Sequence, residues 1–453
     1  MSTSSRRKFL IGVSAATTTG LAGCTGGDDG NGNGSSDETP TTDDGDIEVR
    51  FWHAMGGAHG EAVTSLVEEF NSMDNGITVR EEFQGGYREA FNAALSAAQS
   101  GNAPEILNVN EVATGGVMGS GEFEPIENNL PDEFSRDNYE PFMMDYYTLD
   151  GALQAVPFNV AGGVLYYNRD ALDEVGASEP PTDARFSDIT DLANQLVDGG
   201  FSDYGATWPN ASYFVENWFA LQNQVLVNNE NGRADDPTEI MLDTDAGQNA
   251  FEWWAQMDDD GLYETQGIEA WGSATQSFVN GNVGIMMGST SALGALQQDA
   301  SFEIGSAFMP MPDDVDRTGL TVGGGALWTR RGLSDESELS AATGEFIHWL
   351  LQAEQGAQWH RDTGYQPPHS EARDVLSSEG FFDENPVFRT IFDQFEETES
   401  TIATQGAVMG PFLEVRTRIA EGYNDISQGT AVDEGIDTMK SGIDELLQRH
   451  AGE

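Results

Sequence analysis

Ile47-Glu48-Val49-Arg50-Phe51 alternates apolar and polar side chains, the pattern of a half-buried strand. Beyond it, Val63, Leu66, Val67 and Phe70 recur at the spacing of one helical face. Gly56, Gly57 and Gly60 lie between the two, in a loop that leaves backbone N–H groups at the helix start. The unit then repeats. A strand over 77–83 carries Ile77 and Val79, Gln84-Gly85-Gly86-Tyr87 forms the loop, and a helix follows with Phe91, Leu95 and Ala98 on one face. A third strand runs from Glu105 to Asn110 and ends at Glu111. Strand–helix alternation of this kind predicts an α/β fold whose ligand crevice lies outside the carboxyl ends of the strands. Trp52, His53, Tyr87 and Glu111 are the side chains expected there.

Farther along, the apolar run around Val156–Asn159 meets Gly162-Gly163 and a second run through Tyr166 and Tyr167, as at a crossing between two bodies. Trp208, Tyr213 and Trp218 read as core aromatics. Leu242 to Gly247 is expected to hold a helix cap rather than calcium, because its Gly comes one position early for a calcium loop. Val283 to Met287 reads as a strand that ends in Gly288-Ser289-Thr290-Ser291, hydroxyls suited to a helix start. Thr321 to Trp328 reads as a strand with bare backbone at Gly323-Gly324-Gly325. Phe346 to Leu351 reads as a buried helix, and the chain closes on an amphipathic helix carrying Ile436, Met439, Ile443, Leu446 and Leu447.

The first residues alter the picture of where the chain works. Arg6-Arg7-Lys8-Phe9-Leu10 heads a short apolar stretch in the manner of a twin-arginine export signal. That stretch is too short to span a bilayer. It ends in Leu21-Ala22-Gly23-Cys24, which has the form of a lipidation box with Cys24 as the acylated residue. Residues 1–23 are thus expected to be a signal, and 24–46 a lipidated Cys and an uncompacted tether without large apolar side chains. The expected location is the outer face of the cell membrane. Cys24 is the one cysteine, which excludes a disulfide framework and a Cys-based zinc site.

Charge narrows the partners. The chain has 77 acids and 20 bases, net −57. The three bases of 1–23, with no acid among them, take the remainder to −60. Acids recur along the whole body, as expected of a protein working in concentrated salt, where screening relieves self-repulsion. Such charge argues against nucleic-acid binding. The chain carries no H-E-x-x-H, G-x-S-x-G or G-x-x-x-x-G-K-[ST] motif. His59-Gly60-Glu61 has the H-x-E spacing of a zinc deaminase, but no P-C-x-x-C follows. No enzyme, metal site or cofactor is expected.

Eight segments occur in a familiar order: FWHAMGG, FQGGYREAFNAAL, GNAPEILNVNEV, PFNVAGGVLYYNRDAL, GGGALW, WHRDTGYQPP, FFDENP and the region around Arg416. Together they resemble the family 1 extracellular solute-binding proteins of ABC importers, nearest to the branch that takes glycerol 3-phosphate. The likeness spans about 47–450. It implies a two-lobed periplasmic-binding-protein-like fold (class II) with three crossing segments near 158–162, 322–325 and 366–372, and a ligand cleft between the lobes. Lobe one would be 46–158 plus 325–368, and lobe two 162–322 plus 372–453. The implied site is Tyr87, Glu111 for glycerol hydroxyls, Ser289, Gly324, Tyr365, and Arg416 for the phosphate, with Trp52 and His53 opening the cleft. Val160 and Ala161 stand where the family has hydroxyls, so a contact is lost there. Glu414 and Glu421 lie at helix spacings too poor to pair with Arg416, leaving its charge for an anion. The implied role is capture of glycerol 3-phosphate or a glycerophosphodiester by a monomer that delivers it to an importer permease. A sugar or oligosaccharide is the alternative ligand, and a secreted hydrolase the reading from another class.

Overall fold

A computed structural model describes residues 39–42 and 45–452. The signal, Cys24 and most of the expected tether therefore lie outside the described residues. The strands of the two larger sheets, in chain order, are β1 (Ile47–His53), β2 (Ile77–Phe83), β3 (Ile106–Asn110), β4 (Phe123–Glu124), β5 (Val156–Ala161), β6 (Gly163–Asn168), β7 (Ala206–Asn210), β8 (Tyr263–Ile268), β9 (Ile285–Ser289), β10 (Ile304–Phe308) and β11 (Gly323–Arg330). The helices that matter to the site are α1 (Gly57–Asn71), α2 (Tyr87–Ala98), α3 (Ser212–Leu221), α4 (Asp245–Asp259), α5 (Trp271–Val279), α6 (Ser337–Leu350), α7 (Ala353–Thr363), α8 (Phe412–Ser427) and α9 (Val432–Ala451).

Two sheets organise the body. The first has the order β2-β1-β3-β11-β4, with β5 also paired to β11. Its β1, β2 and β3 are parallel, and β11 runs against β3. The second has the order β8-β7-β9-β6-β10, with β7 parallel to both β8 and β9 and antiparallel pairing from β9 through β6 to β10. The fold is mixed α/β and two-lobed, as expected from the strand–helix alternation and the resemblance.

The chain passes from the first sheet to the second at Gly162, the one residue between β5 and β6. A Cβ there would stand 2.5 Å from the Phe395 ring, so a side chain is excluded. It returns into β11, whose Gly323 and Gly324 pair with Ala161 and Val160. Gln366 forms a bridge to Val160 with its N–H donating to the Val160 carbonyl at 2.8 Å. These two passages and the segment at Gln366 are thus tied together by backbone pairing.

Periodicity reads out directly in α1, where Val63, Leu66, Val67 and Phe70 are all buried. Fully burying each such side chain contributes about 1.5–3 kcal/mol. In α9 the buried residues include Ile436, Met439, Ile443 and Leu447, with Leu446 only half-buried. The expected face of α2 differs. Ala90 and Ala94 are buried there, while Phe91 and Leu95 are half-buried. The helix packs on β3 through its alanines, and the larger side chains lie to the side. At Thr244, before α4, no side chain caps the helix; the hydroxyl instead donates to the Met241 carbonyl at 2.8 Å. Trp208 and Trp218 are core, and Trp208 lies in a stacked arrangement with Trp253 at 5.4 Å.

Candidate functional site

The carboxyl ends of the two sets of parallel strands meet at a cavity of about 380 Å³, within the range of small-molecule sites. Tyr87, at the start of α2, and Glu111, just past β3, reach it from the first sheet. Ser289, at the end of β9, and Arg416, on α8, reach it from the side of the second. Gly324 and Tyr365 line it from the passages between them. Six of the expected site residues therefore converge. Trp52 and His53 are corrected: neither lines the cavity. The His53 ring is buried between β1 and β2, with Nε2 2.8 Å from Glu81 Oε2 and Nδ1 accepting the Met55 N–H at 3.2 Å. Burial works against the Glu81 charge, but the His53 and Thr64 hydrogen bonds hold its carboxyl below the usual range. A strand's alternation sends adjacent side chains to opposite faces, so closeness in sequence to a strand end does not aim a ring at the crevice.

Arg416 is the charged centre. Its Nε donates to Glu216 Oε1 at 2.7 Å, and its Nη2 donates to Glu216 Oε2 at 2.6 Å and to Glu111 Oε1 at 2.7 Å. Its charge is thus engaged, contrary to the expectation that it is free. The partners come from α3 and from the turn just past β3, across the fold, and not from its own helix. Among the described residues Nη1 has no hydrogen-bond partner, and Arg416 lines the cavity. Burial disfavours the charge, yet the two carboxylates outweigh it and hold the guanidinium protonated above its ordinary range. Burial pushes the Glu111 carboxyl up, with Arg416 opposing and Glu216 adding to the rise. Glu216 also accepts the Ser212 hydroxyl at 2.9 Å.

The opposite wall is a hydroxyl cluster. Asn159 Nδ2 donates to the Tyr87 hydroxyl at 2.7 Å, and Asn159 is itself fixed by Asn108 at 3.0 Å. Burial pushes the Tyr87 phenol well up and the Tyr365 phenol up, so both stay neutral and able to donate. Tyr365 is presented by the turn that ends α7. Gly364 there has φ of +77°. His360 Nδ1 lies 2.9 Å from the Tyr365 carbonyl, and the Tyr365 ring is parallel to Trp359 at 5.8 Å. Burial lowers His360 to about 4, so the ring is neutral and donates from Nδ1.

Ser289 and Ser291 face each other at 2.9 Å, and Ser289 Oγ also accepts the Ser291 N–H at 3.3 Å. Gly324 has φ of +88°, and a Cβ on it would meet the Asn159 carbonyl oxygen at 1.9 Å. Only bare backbone fits that wall. Ala161 presents a methyl to the cavity, and Val160 is buried.

Sequence reasoning missed Glu216, Asn159, Tyr213 and Trp271. Tyr213 is buried in the core as expected and also lines the cavity, its ring 5.9 Å from that of Trp271. No local motif marks Glu216, because acids are everywhere in this chain; only the helical spacing Ser212–Glu216 hints at one face of α3. Among the described residues no three His, Cys, Asp or Glu side chains group as a metal site requires, and no helix is long and apolar enough to cross a membrane.

Comparisons with known proteins bear on the whole body. The family described as bacterial extracellular solute-binding protein matches residues 65–390. The sn-glycerol-3-phosphate-binding periplasmic protein UgpB of Escherichia coli (strain K12) is 27% identical over 412 residues, covering 88% of this chain and 92% of that protein. Among solved structures, the cyclic alpha-maltosyl-1,6-maltose binding protein from Arthrobacter globiformis superposes with a TM-score of 0.75 at 17% identity, over 89% of this chain and 100% of that one. UgpB from Mycobacterium tuberculosis in complex with glycerophosphocholine superposes with a TM-score of 0.71 at 19% identity, over 89% of this chain and 98% of that one.

Proposed function

Since this chain belongs to the bacterial extracellular solute-binding proteins, the capture components of ABC importers, we propose that the solute it captures is glycerol 3-phosphate or a glycerophosphodiester. The observation that carries the reading is convergence. Tyr87, Glu111, Ser289, Gly324, Tyr365 and Arg416, the residues that the resemblance implies for a glycerol-phosphate site, line one cavity. In this reading the phosphate takes the Nη1 edge of Arg416, while Glu111, Tyr87 and Tyr365 hold the glycerol hydroxyls. Closure of a lobe comprising 46–158 plus 325–368 onto one comprising 162–322 plus 372–453 buries the ligand and forms the face that a permease reads. The family is non-enzymatic in general.

A neutral sugar is the second reading, favoured by the Tyr213–Trp271 aromatic wall and by carboxylates that already pair Arg416. Calorimetric titration in molar KCl with glycerol 3-phosphate, glycerol, maltose and inorganic phosphate separates the two. Binding of the glycerol phosphate without maltose is expected; binding of maltose alone overturns the assignment. We further propose that the chain is exported by the twin-arginine route, anchored through Cys24, and acts as a monomer. Cys24→Ser should move the protein from the membrane fraction to the medium, and retention in the membrane would refute the anchor.

A further inference from the structure

Arg416 supplies one positive charge to a cluster that already holds two carboxylates, Glu111 and Glu216. It is the one base among the described residues lining the cavity. The two acids are not equivalent. Glu111 lines the cavity and touches whatever occupies it. Glu216 stands behind the guanidinium, does not line the cavity, and grips Nε and Nη2 side-on with both oxygens. Its side chain is only 7% exposed, so water does little to screen it. Its influence on a ligand passes through Arg416 and through its field.

We propose that Glu216 tunes the site by charge, favouring a phosphate group with one negative charge, a phosphodiester, over the doubly charged phosphomonoester. The inference rests on the reading given above that the ligand carries a glycerol phosphate. The empty cluster sums to −1. A monoester whose second ionisation lies near pH 6 brings two further charges at pH 8, and a diester brings one. At an effective dielectric of about 20, a buried carboxylate behind the guanidinium still opposes each added ligand charge appreciably. The remaining lining groups offer no relief: Tyr87 and Tyr365 are neutral donors, and Glu269 at the rim is acidic.

The test is calorimetric titration of the full chain at pH 8 in molar KCl, with glycerol 3-phosphate and its methyl phosphodiester, for wild type, Glu216→Gln and Glu216→Asp. Wild type should bind the diester about tenfold or more tightly. Glu216→Gln should move that ratio toward the monoester by about tenfold, or 1.4 kcal/mol. Glu216→Asp should keep the wild-type ratio. A role limited to orienting Arg416 would weaken both ligands alike and leave the ratio unchanged, which overturns the proposal while the ligand class stands. A wild type that prefers the monoester also overturns it, and that result needs no variant to fold. If wild type binds neither phosphate but takes maltose, the ligand class fails and this inference falls with it.

Discussion

Replacing Arg416 with Met should destabilise the protein without any ligand present, and the loss should depend steeply on pH. Met keeps an apolar stem beside the Phe412 ring, over which the guanidinium carbon sits at 5.2 Å. It removes the partner of two carboxylates whose side chains are 6% and 7% exposed. Left close together and unpaired, the two must share a proton. At pH 7.5, protonating one carboxyl of ordinary pKa near 4.3 costs about 4 kcal/mol at 1.36 kcal/mol per unit. That lies within the range of about 3–5 kcal/mol found when one partner of a buried ion pair is removed. At pH 5 the same protonation costs only about 1 kcal/mol. The sign follows from linkage: the variant's folded state binds a proton that the unfolded chain releases, so lowering the pH recovers stability. Differential scanning calorimetry in molar KCl should show a melting temperature lowered by about 8 °C at pH 7.5 and about 2 °C at pH 5, taking roughly 2 °C per kcal/mol. An unchanged melting temperature at pH 7.5, or an equal loss at both pH values, would refute the pairing and the argument built on it. The same variant should weaken glycerol 3-phosphate binding by roughly 10- to 150-fold, the equivalent of one hydrogen bond to a charged group.

Three other outcomes can be checked. Gly324→Ala should cost more than the roughly 1–2 kcal/mol of a left-handed backbone, because its Cβ would also strike the Asn159 carbonyl; urea unfolding that matches wild type would contradict this. His360 is lowered from 6.5 to about 4, so the stability it contributes is full above pH 6.5 and is lost as pH falls toward 4, by up to about 3 kcal/mol. His360→Gln should flatten the melting curve across that window, and an unaltered pH profile would exclude the buried neutral ring as its cause. With net charge −57, the folded state should lose melting temperature steeply when KCl is dialysed away, since the screening length is about 3 Å at 1 M and about 10 Å at 0.1 M. A melting temperature that does not respond to salt would remove the case for adaptation to it.

The strands were legible because each carries its own local pattern. Ile77 to Phe83 was bounded to the residue, and α1 buries the four apolar side chains its spacing selected. The site was legible where a residue ends a strand or opens a helix, as Glu111 and Tyr87 do, because the chain's direction there fixes where the side chain goes. His53 misled for a physical reason: it satisfies the same positional rule but is claimed by Glu81 on the neighbouring strand. Glu216 was illegible because its importance comes from a partner 200 residues away, and nothing in α3 distinguishes it from other acids. Tyr213 fits a core pattern and a cavity wall equally well, since the wall is itself largely buried.

Trp271 has an optical consequence. The chain holds nine tryptophans, all within the described residues, and among them Trp271 alone lines the cavity. Trp208, Trp218, Trp254, Trp328 and Trp359 are fully buried, in surroundings a bound solute does not enter. The Trp271 indole is half-exposed and donates to Glu269 at 2.7 Å, so it sits where water gives way to ligand. Emission from this protein should therefore contain a background from the five buried indoles and a component from Trp271, the indole on the cavity wall. Filling the cavity displaces water from that indole and shifts its band to shorter wavelength. Occupancy can thus be read from the unlabelled protein, and Trp271→Phe provides the silent control.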